Sequence, residues 1–169
     1  MSIITFFIGS AFAENGHHPK PYVGSKAFEQ MKSLVGDWKG MIDKGKGPEV
    51  FNTNYRLTSG GSAIVETIFE GHPHGMITIY QDDSKKQLTM VHSCAEYNQP
   101  KMVIKKNRGN RIEMDLVSNP DLDVVKDSHM HSFAIELNGP EQMTRDWINF
   151  EDGKKKMAVK LVYKRKNVL

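Results

Sequence analysis

The stretch Leu88-Thr89-Met90-Val91-His92-Ser93-Cys94-Ala95-Glu96-Tyr97-Asn98-Gln99-Pro100 predicts a β-strand that runs into a turn. In the predicted strand Gln87–Ala95, every second residue projects to the same face, because side chains alternate along an extended backbone. One face therefore carries Leu88, Met90, His92 and Cys94, the last being the single cysteine of the chain. The apolar members of this set indicate that the face points into a core and takes His92 and Cys94 with it.

The same period of two continues from Asp37 to Lys166 and predicts ten short strands. Turn signals such as Asn138-Gly139-Pro140 separate these strands. The sequence predicts one helix, from Lys26 to Val35, with Ser25 as its N-cap and apolar residues at helical spacing. No helical crossover follows, so the strands must be antiparallel. The predicted fold is all-β, an antiparallel up-and-down β-barrel of about ten strands with one short N-terminal helix.

The N-terminal residues predict export. The segment from Ile3 to Ala13 is apolar or small, carries no charge and ends in Ala11-Phe12-Ala13, which matches a signal-peptide cleavage site. No basic residue precedes the apolar core, so we expect the signal to be truncated or weak. The predicted organisation is a signal peptide at 1–13, an irregular lead-in at 14–24 and a single barrel domain at 25–169. We expect a periplasmic or secreted protein with no stable membrane span, since the segment is too short to cross a bilayer.

Charge and cysteine content exclude several classes of protein. The net charge is only +3, and the lysine runs, such as Lys154-Lys155-Lys156, are typical of solvated turns and strand faces. No aromatic residues alternate with them to form a base-stacking surface, so we expect no nucleic-acid partner. A single cysteine excludes an internal disulfide.

Several stretches resemble a known family. Leu34-Val35-Gly36-Asp37-Trp38 is similar to the G-x-W entry of lipocalin-type barrels, in which a basic residue near the end of the chain covers the Trp; Arg165 matches that residue. Further similar stretches are Gly60–Thr67, Met76–Tyr80, Leu88–Met102, His129-Met130-His131 and Trp147.

From about Phe28 to Arg165, the chain resembles a bacterial, often exported family of calycin-like barrels with no assigned function. The resemblance implies a fold related to lipocalins, fatty-acid-binding proteins and nitrobindin-type haem barrels, and it implies no activity. It gives Trp38, Arg165 and Trp147 structural roles. This chain departs from the family at Ser93, where the family has an aromatic residue.

Two predicted strands supply most of the polar side chains expected inside the barrel. In Ser128–Leu137, alternation places His129 and His131 in phase with Phe133 and Ile135. Glu66 lies in phase with Ile64 and Ile68 on another strand, and Tyr80 belongs to the stretch Met76–Tyr80. The candidate ligand-binding residues are Glu66, Tyr80, His92, Cys94, His129 and His131.

These residues leave three interpretations open. They form a buried polar network that satisfies itself, or they orient a mainly apolar or amphipathic small molecule. Alternatively, His92, His129 and His131 bind haem or a transition metal. Our working hypothesis is small-molecule binding, with the haem or metal site as the alternative and no cofactor firmly implied.

An enzyme is a weaker third hypothesis. The sequence contains no G-x-S-x-G, H-E-x-x-H or phosphate-binding glycine motif. Acid–base chemistry by Glu66 with a histidine is the remaining possibility, and we predict no catalytic residue. The ten methionines favour an adaptable interior, because thioether side chains fit irregular cavities.

Overall fold

The computed structural model describes residues 20–43, 47–117 and 122–166. The predicted signal peptide at 1–13 and residues 14–19 of the lead-in lie outside the described residues. The structure contains one α-helix, one 3-10 turn and ten strands. They are α1 Lys26–Lys32, β1 Gly36–Asp43, β2 Pro48–Thr58, the 3-10 turn Ser59–Gly61, β3 Ala63–Ile68, β4 Met76–Asp82, β5 Leu88–Ser93, β6 Lys101–Arg108, β7 Arg111–Leu116, β8 His129–Leu137, β9 Gln142–Glu151 and β10 Lys154–Arg165.

The strands form a closed antiparallel barrel in which each strand pairs with its neighbours in the chain. Closure comes from β1 and β10, which pair from Trp38 with Arg165 to Met41 with Val162. Within the described residues, closure leaves no sheet edge exposed for pairing with another chain. The predicted all-β, up-and-down barrel of ten strands with one short helix is confirmed.

Helix α1 is shorter than the sequence predicted, ending at Lys32 and not at Val35. The reason is a tightened last turn, in which the amides of Ser33, Leu34 and Val35 bond to carbonyls three residues back. The chain then turns into β1 at Gly36, whose φ of 135° favours glycine. Among the described residues, no helix has the length and apolar character needed to cross a bilayer.

Helix α1 packs across one end of the barrel, which we call the helix end. The Ser25 hydroxyl accepts a hydrogen bond from the Phe28 amide at 3.1 Å, so the predicted N-cap is present. Asp82, at the end of β4, accepts from the Ser25 amide at 2.6 Å and from its hydroxyl at 2.7 Å. Phe28 and Met31 are consequently buried against the barrel core.

Trp38 and Arg165 complete the helix end. The Trp38 side chain is 1% exposed, and its indole N–H donates to the Leu34 carbonyl at 2.7 Å. The Arg165 guanidinium lies 4.2 Å from the Trp38 ring centroid and donates to the carbonyls of Val35 and Ser33. One cation–π contact and these hydrogen bonds therefore join the end of β10 to the segment between α1 and β1.

Candidate functional site

The centre of the barrel interior holds a buried ion pair between Glu66 of β3 and Arg145 of β9. Glu66 is 0% exposed and Arg145 is 1% exposed. Arg145 Nη1 donates to Glu66 Oε1. Glu66 also accepts from the Tyr80 hydroxyl at 2.8 Å and the Thr53 hydroxyl at 3.2 Å. Buried charges are costly unless they are paired and hydrogen-bonded, and the Glu66 carboxylate meets both conditions.

Aromatic rings surround the Arg145 guanidinium. Its central carbon lies 4.8 Å from the Trp147 ring centroid, 5.0 Å from that of Phe133 and 5.4 Å from that of Tyr163. Its Nη1 atom also donates to the Tyr55 hydroxyl at 3.3 Å. The faces of aromatic rings attract cations, so these contacts offset part of the cost of burying Arg145.

Burial keeps the tyrosines of this region protonated. Tyr55, Tyr80 and Tyr163 are all 0% exposed. Loss of solvation is the main cause that raises the pKa of each of these hydroxyls above its ordinary value. The three phenols are therefore neutral.

His92 lies beside the ion pair and is neutral. Its Nδ1 atom is 2.8 Å from the Thr78 hydroxyl, and its ring meets that of Trp147 edge to face at 5.7 Å between centroids. Burial, assisted by the charge of Arg145, lowers the pKa of His92 to about 3. The unfolded chain takes up this proton near pH 6.5 and the folded chain does not. His92 therefore destabilises the fold progressively as the pH falls from about 6.5 toward 3.

Several polar atoms in this region have no hydrogen-bond partner within the described part of the chain. They are Arg145 Nε, Trp147 Nε1, His92 Nε2 and the Tyr163 hydroxyl. The Arg145 guanidinium is nevertheless close enough to the Tyr163 hydroxyl to oppose the rise in its pKa, so these two groups approach each other without a hydrogen bond of normal geometry. A buried donor without a partner costs about 1–3 kcal/mol. We call the set Tyr55, Glu66, Tyr80, His92, Arg145, Trp147 and Tyr163 the interior polar cluster. Its unpaired atoms provide positions for ordered water or a bound molecule.

Methionine side chains supply much of the surrounding apolar surface. Five methionines on strands are at most 1% exposed and belong to the core, namely Met90, Met102, Met114, Met130 and Met143. Unbranched thioether side chains repack at low cost. The interior therefore combines a hydrogen-bonded centre with an adaptable apolar lining.

Cys94 lies one residue beyond β5, in the turn toward β6. Its amide donates to the Asn98 carbonyl at 3.0 Å, which closes that turn. The side chain is half-buried and packs against the edge of the core. Burial raises the pKa of the Cys94 thiol, which disfavours the reactive thiolate.

The structure brings Glu66, Tyr80 and His92 together and places His129 and His131 elsewhere. The expectation that both β8 histidines face inward with Phe133 fails because of a β-bulge between Met130 and Ser132. The extra residue reverses the alternation, so that Met130 enters the core while its two neighbours lie on the other face of β8, where His129 is still 0% exposed.

On that face, His129 and His131 make a small cluster with Phe150. His131 stacks on the Phe150 ring at 3.9 Å between centroids, and its Nδ1 atom is 3.2 Å from His129 Nε2. His129 Nδ1 is 2.7 Å from the Asp127 carbonyl oxygen. Burial and the proximity of His129 lower the pKa of His131.

This arrangement bears on the predicted metal site. The candidate histidines are divided between the barrel interior, which holds His92, and the other face of β8, where His129 is buried and His131 is half-buried. Across residues 20–43, 47–117 and 122–166, no three side chains of His, Cys, Asp or Glu come together as metal ligands. The side chains of the described residues therefore do not form the site of several ligands that a zinc or copper ion needs.

Sequence analysis did not single out Arg145 or Tyr163. Its position could have indicated Arg145. Met143, Arg145 and Trp147 occupy every second position of β9, so Arg145 shares a face of the strand with two apolar residues. A charged residue in an apolar phase indicates a buried ion pair or a functional group. Alternation along the last predicted strand, Lys155–Lys166, places Tyr163 on the same apolar face as Leu161, and both are buried.

Comparison with known proteins supports the fold. No family model matches the sequence, and no curated protein matches it. A solved structure similar to this chain is that of a protein of unknown function from the DUF3598 family of Nostoc punctiforme PCC 73102. The two share a TM-score of 0.50 and 12% sequence identity over 81% of this chain. This chain spans 49% of the length of that protein, so the similarity concerns the barrel fold alone.

Proposed function

We propose that this protein is a calycin-like barrel that binds a small amphipathic molecule, with the polar end of the ligand at the interior polar cluster. The unpaired buried atoms of Arg145, Trp147 and His92 support this proposal most directly. Native interiors pair nearly all such atoms, so a cluster of them around one guanidinium calls for a partner outside the protein.

The surroundings of the cluster favour an organic ligand over water alone. A barrel of this strand number has room for a ligand as well as side chains. The buried methionines allow the lining to move aside for an apolar chain. Ligand pockets typically combine such an apolar lining with a few polar groups that fix orientation.

Within this proposal, the residues have distinct roles. Arg145 and Trp147 offer N–H donors to the ligand, and His92 offers Nε2. Glu66 and Tyr80 hold the guanidinium in place, through the ion pair and the Tyr80 hydrogen bond. From the apolar residues at 1–13, we further propose that binding takes place in the periplasm or outside the cell.

Native mass spectrometry of freshly purified protein, followed by solvent extraction, tests the proposal. We expect a bound organic species that is released on extraction. The variant Trp147→Phe keeps the ring and removes the N–H donor, so it should retain less of this species. A matched control is Ile77→Ala, because Ile77 is 45% exposed on the outer surface.

Two results would contradict ligand binding at this cluster. One is wild-type protein that carries no organic species and binds none of the amphipathic probes described below. The other is equal retention by Trp147→Phe and the wild type. A visible absorption spectrum of the same preparation tests the haem alternative, for which a Soret band is the signature.

A further inference from the structure

We infer that the polar group of the ligand is a neutral hydrogen-bond acceptor, such as the carbonyl of an amide or ester, and that a carboxylate is disfavoured. This inference rests on the proposed function and concerns the same site. It follows from the charge balance of the interior polar cluster and from which of its atoms are unpaired.

The charge balance is zero without any ligand. Arg145 supplies one positive charge, and Glu66 supplies one negative charge in direct contact with it. The phenols of the cluster are protonated, and the buried His92 ring is neutral. A carboxylate would therefore bring an uncompensated negative charge into a site whose members, apart from the half-buried Trp147, are at most 1% exposed, at a high desolvation cost.

The unpaired atoms fit a carbonyl. Arg145 Nε and Trp147 Nε1 carry hydrogens and donate only, and both lack a partner within the described residues. The central carbon of the guanidinium lies 4.8 Å from the Trp147 ring centroid, so both donors belong to side chains in direct contact. A carbonyl oxygen has two lone pairs and accepts two such hydrogen bonds.

His92 provides a hydrogen-bond acceptor for the N–H of an amide ligand. Its Nδ1 atom is engaged by the Thr78 hydroxyl, which leaves Nε2 for the ligand. The His92 ring contacts the Trp147 ring at 5.7 Å between centroids, beside the same two donors. When Nε2 is unprotonated, it accepts the N–H of an amide whose carbonyl meets Arg145 and Trp147.

A series of ligands with one alkyl chain tests the inference. Dodecanamide, methyl dodecanoate and dodecanoate differ only in the polar group, and tryptophan fluorescence or calorimetry gives their dissociation constants. At neutral pH, we expect wild-type protein to bind the amide and the ester at least about tenfold more tightly than the carboxylate, a difference of about 1.4 kcal/mol.

The variant Glu66→Gln makes the test specific. It removes the negative charge, keeps the side-chain shape and leaves Arg145 without a counter-ion. We expect the preference to reverse toward dodecanoate, which then neutralises Arg145. The control is Glu113→Gln, because Glu113 pairs with Arg111 on a half-exposed outer site and should leave the preference unchanged.

The outcomes separate this inference from the proposed function. Tighter binding of dodecanoate than of dodecanamide by the wild type would overturn the inference and leave ligand binding standing. Failure of all three probes to bind would overturn both. If Glu66→Gln does not fold, wild-type titrations at several pH values decide. Dodecanoate should then bind more tightly as the acid becomes neutral, while dodecanamide does not, and pH-independent binding of dodecanoate would overturn the inference.

Discussion

Replacing Arg145 by Met tests the energetics of the buried ion pair. The substitution leaves the Glu66 carboxylate at 0% exposure, with hydrogen bonds only from Tyr80 and Thr53 among the contacts described above. Removing one partner of a buried ion pair costs about 3–5 kcal/mol, because the other charge remains buried without compensation. We expect Arg145→Met to lower the free energy of unfolding by about this amount.

The double variant Arg145→Met/Glu66→Gln identifies the cause. It removes both charges, and neutral replacements of a buried ion pair are often close to wild type in stability. We therefore expect the double variant to be more stable than Arg145→Met alone by about 2 kcal/mol or more, as a double-mutant cycle would show. The control Arg111→Met removes an arginine that is 32% exposed and pairs with Asp146 on the outer face, and should cost about 1 kcal/mol or less.

Urea unfolding followed by far-UV circular dichroism provides these free energies. The m-value, which is the slope of the unfolding free energy against urea concentration, should be the same for all variants. The reasoning would be refuted if Arg145→Met were as stable as Arg111→Met. It would also be refuted if the double variant were no more stable than Arg145→Met, since the loss would then reflect packing and not charge.

Three further predictions concern pH, the helix end and export. Between pH 6.5 and 5, the lowered pKa of His92 should reduce the free energy of unfolding of the wild type by about 2 kcal/mol. Urea unfolding at each pH should show that His92→Phe loses this pH dependence of stability, whereas the exposed control His74→Gln keeps it. Trp38→Ala should lower the free energy of unfolding by about 3–5 kcal/mol, and an unchanged melting temperature would contradict the role assigned to this ring. If residues 1–13 are a signal peptide, the intact mass of exported protein should correspond to a chain that begins at Glu14, and a mature chain that retains Met1 would rule this out.

The fold was predictable because alternation is a local signal. Alternation along the predicted strand Arg111–Val117 places Ile112 and Met114 on one face, opposite the charged residues, and both are buried in β7. In β10, Leu161 and Tyr163 are buried as alternation predicted. Alternation places Met157 on the same face, and its pairing register with β9 is continuous with that of Leu161, but Met157 is 47% exposed because it lies near the start of the strand, where the neighbouring residues are exposed as well.

The candidate site was less predictable because its contacts are not local. Alternation placed Glu66 and His92 in apolar phases, and the structure buries both. The partner of Glu66 is Arg145, which is 79 residues away in the chain and reaches it only across the closed barrel. The bulge that separates His129 and His131 from the inward-facing residues of β8 depends on how β8 pairs with β9, and no residue in His129-Met130-His131 signals it.

The most direct test of ligand binding at the interior polar cluster uses the two tryptophan indole N–H groups as paired reporters. The Trp38 N–H already donates to the Leu34 carbonyl, whereas the Trp147 N–H has no partner among the described residues. Nitrogen–proton correlation NMR during a titration with dodecanamide follows both signals at once. We predict that the Trp147 signal moves downfield as its N–H acquires an acceptor, while the Trp38 signal stays in place. A saturating titration that leaves the Trp147 signal unmoved would contradict the account.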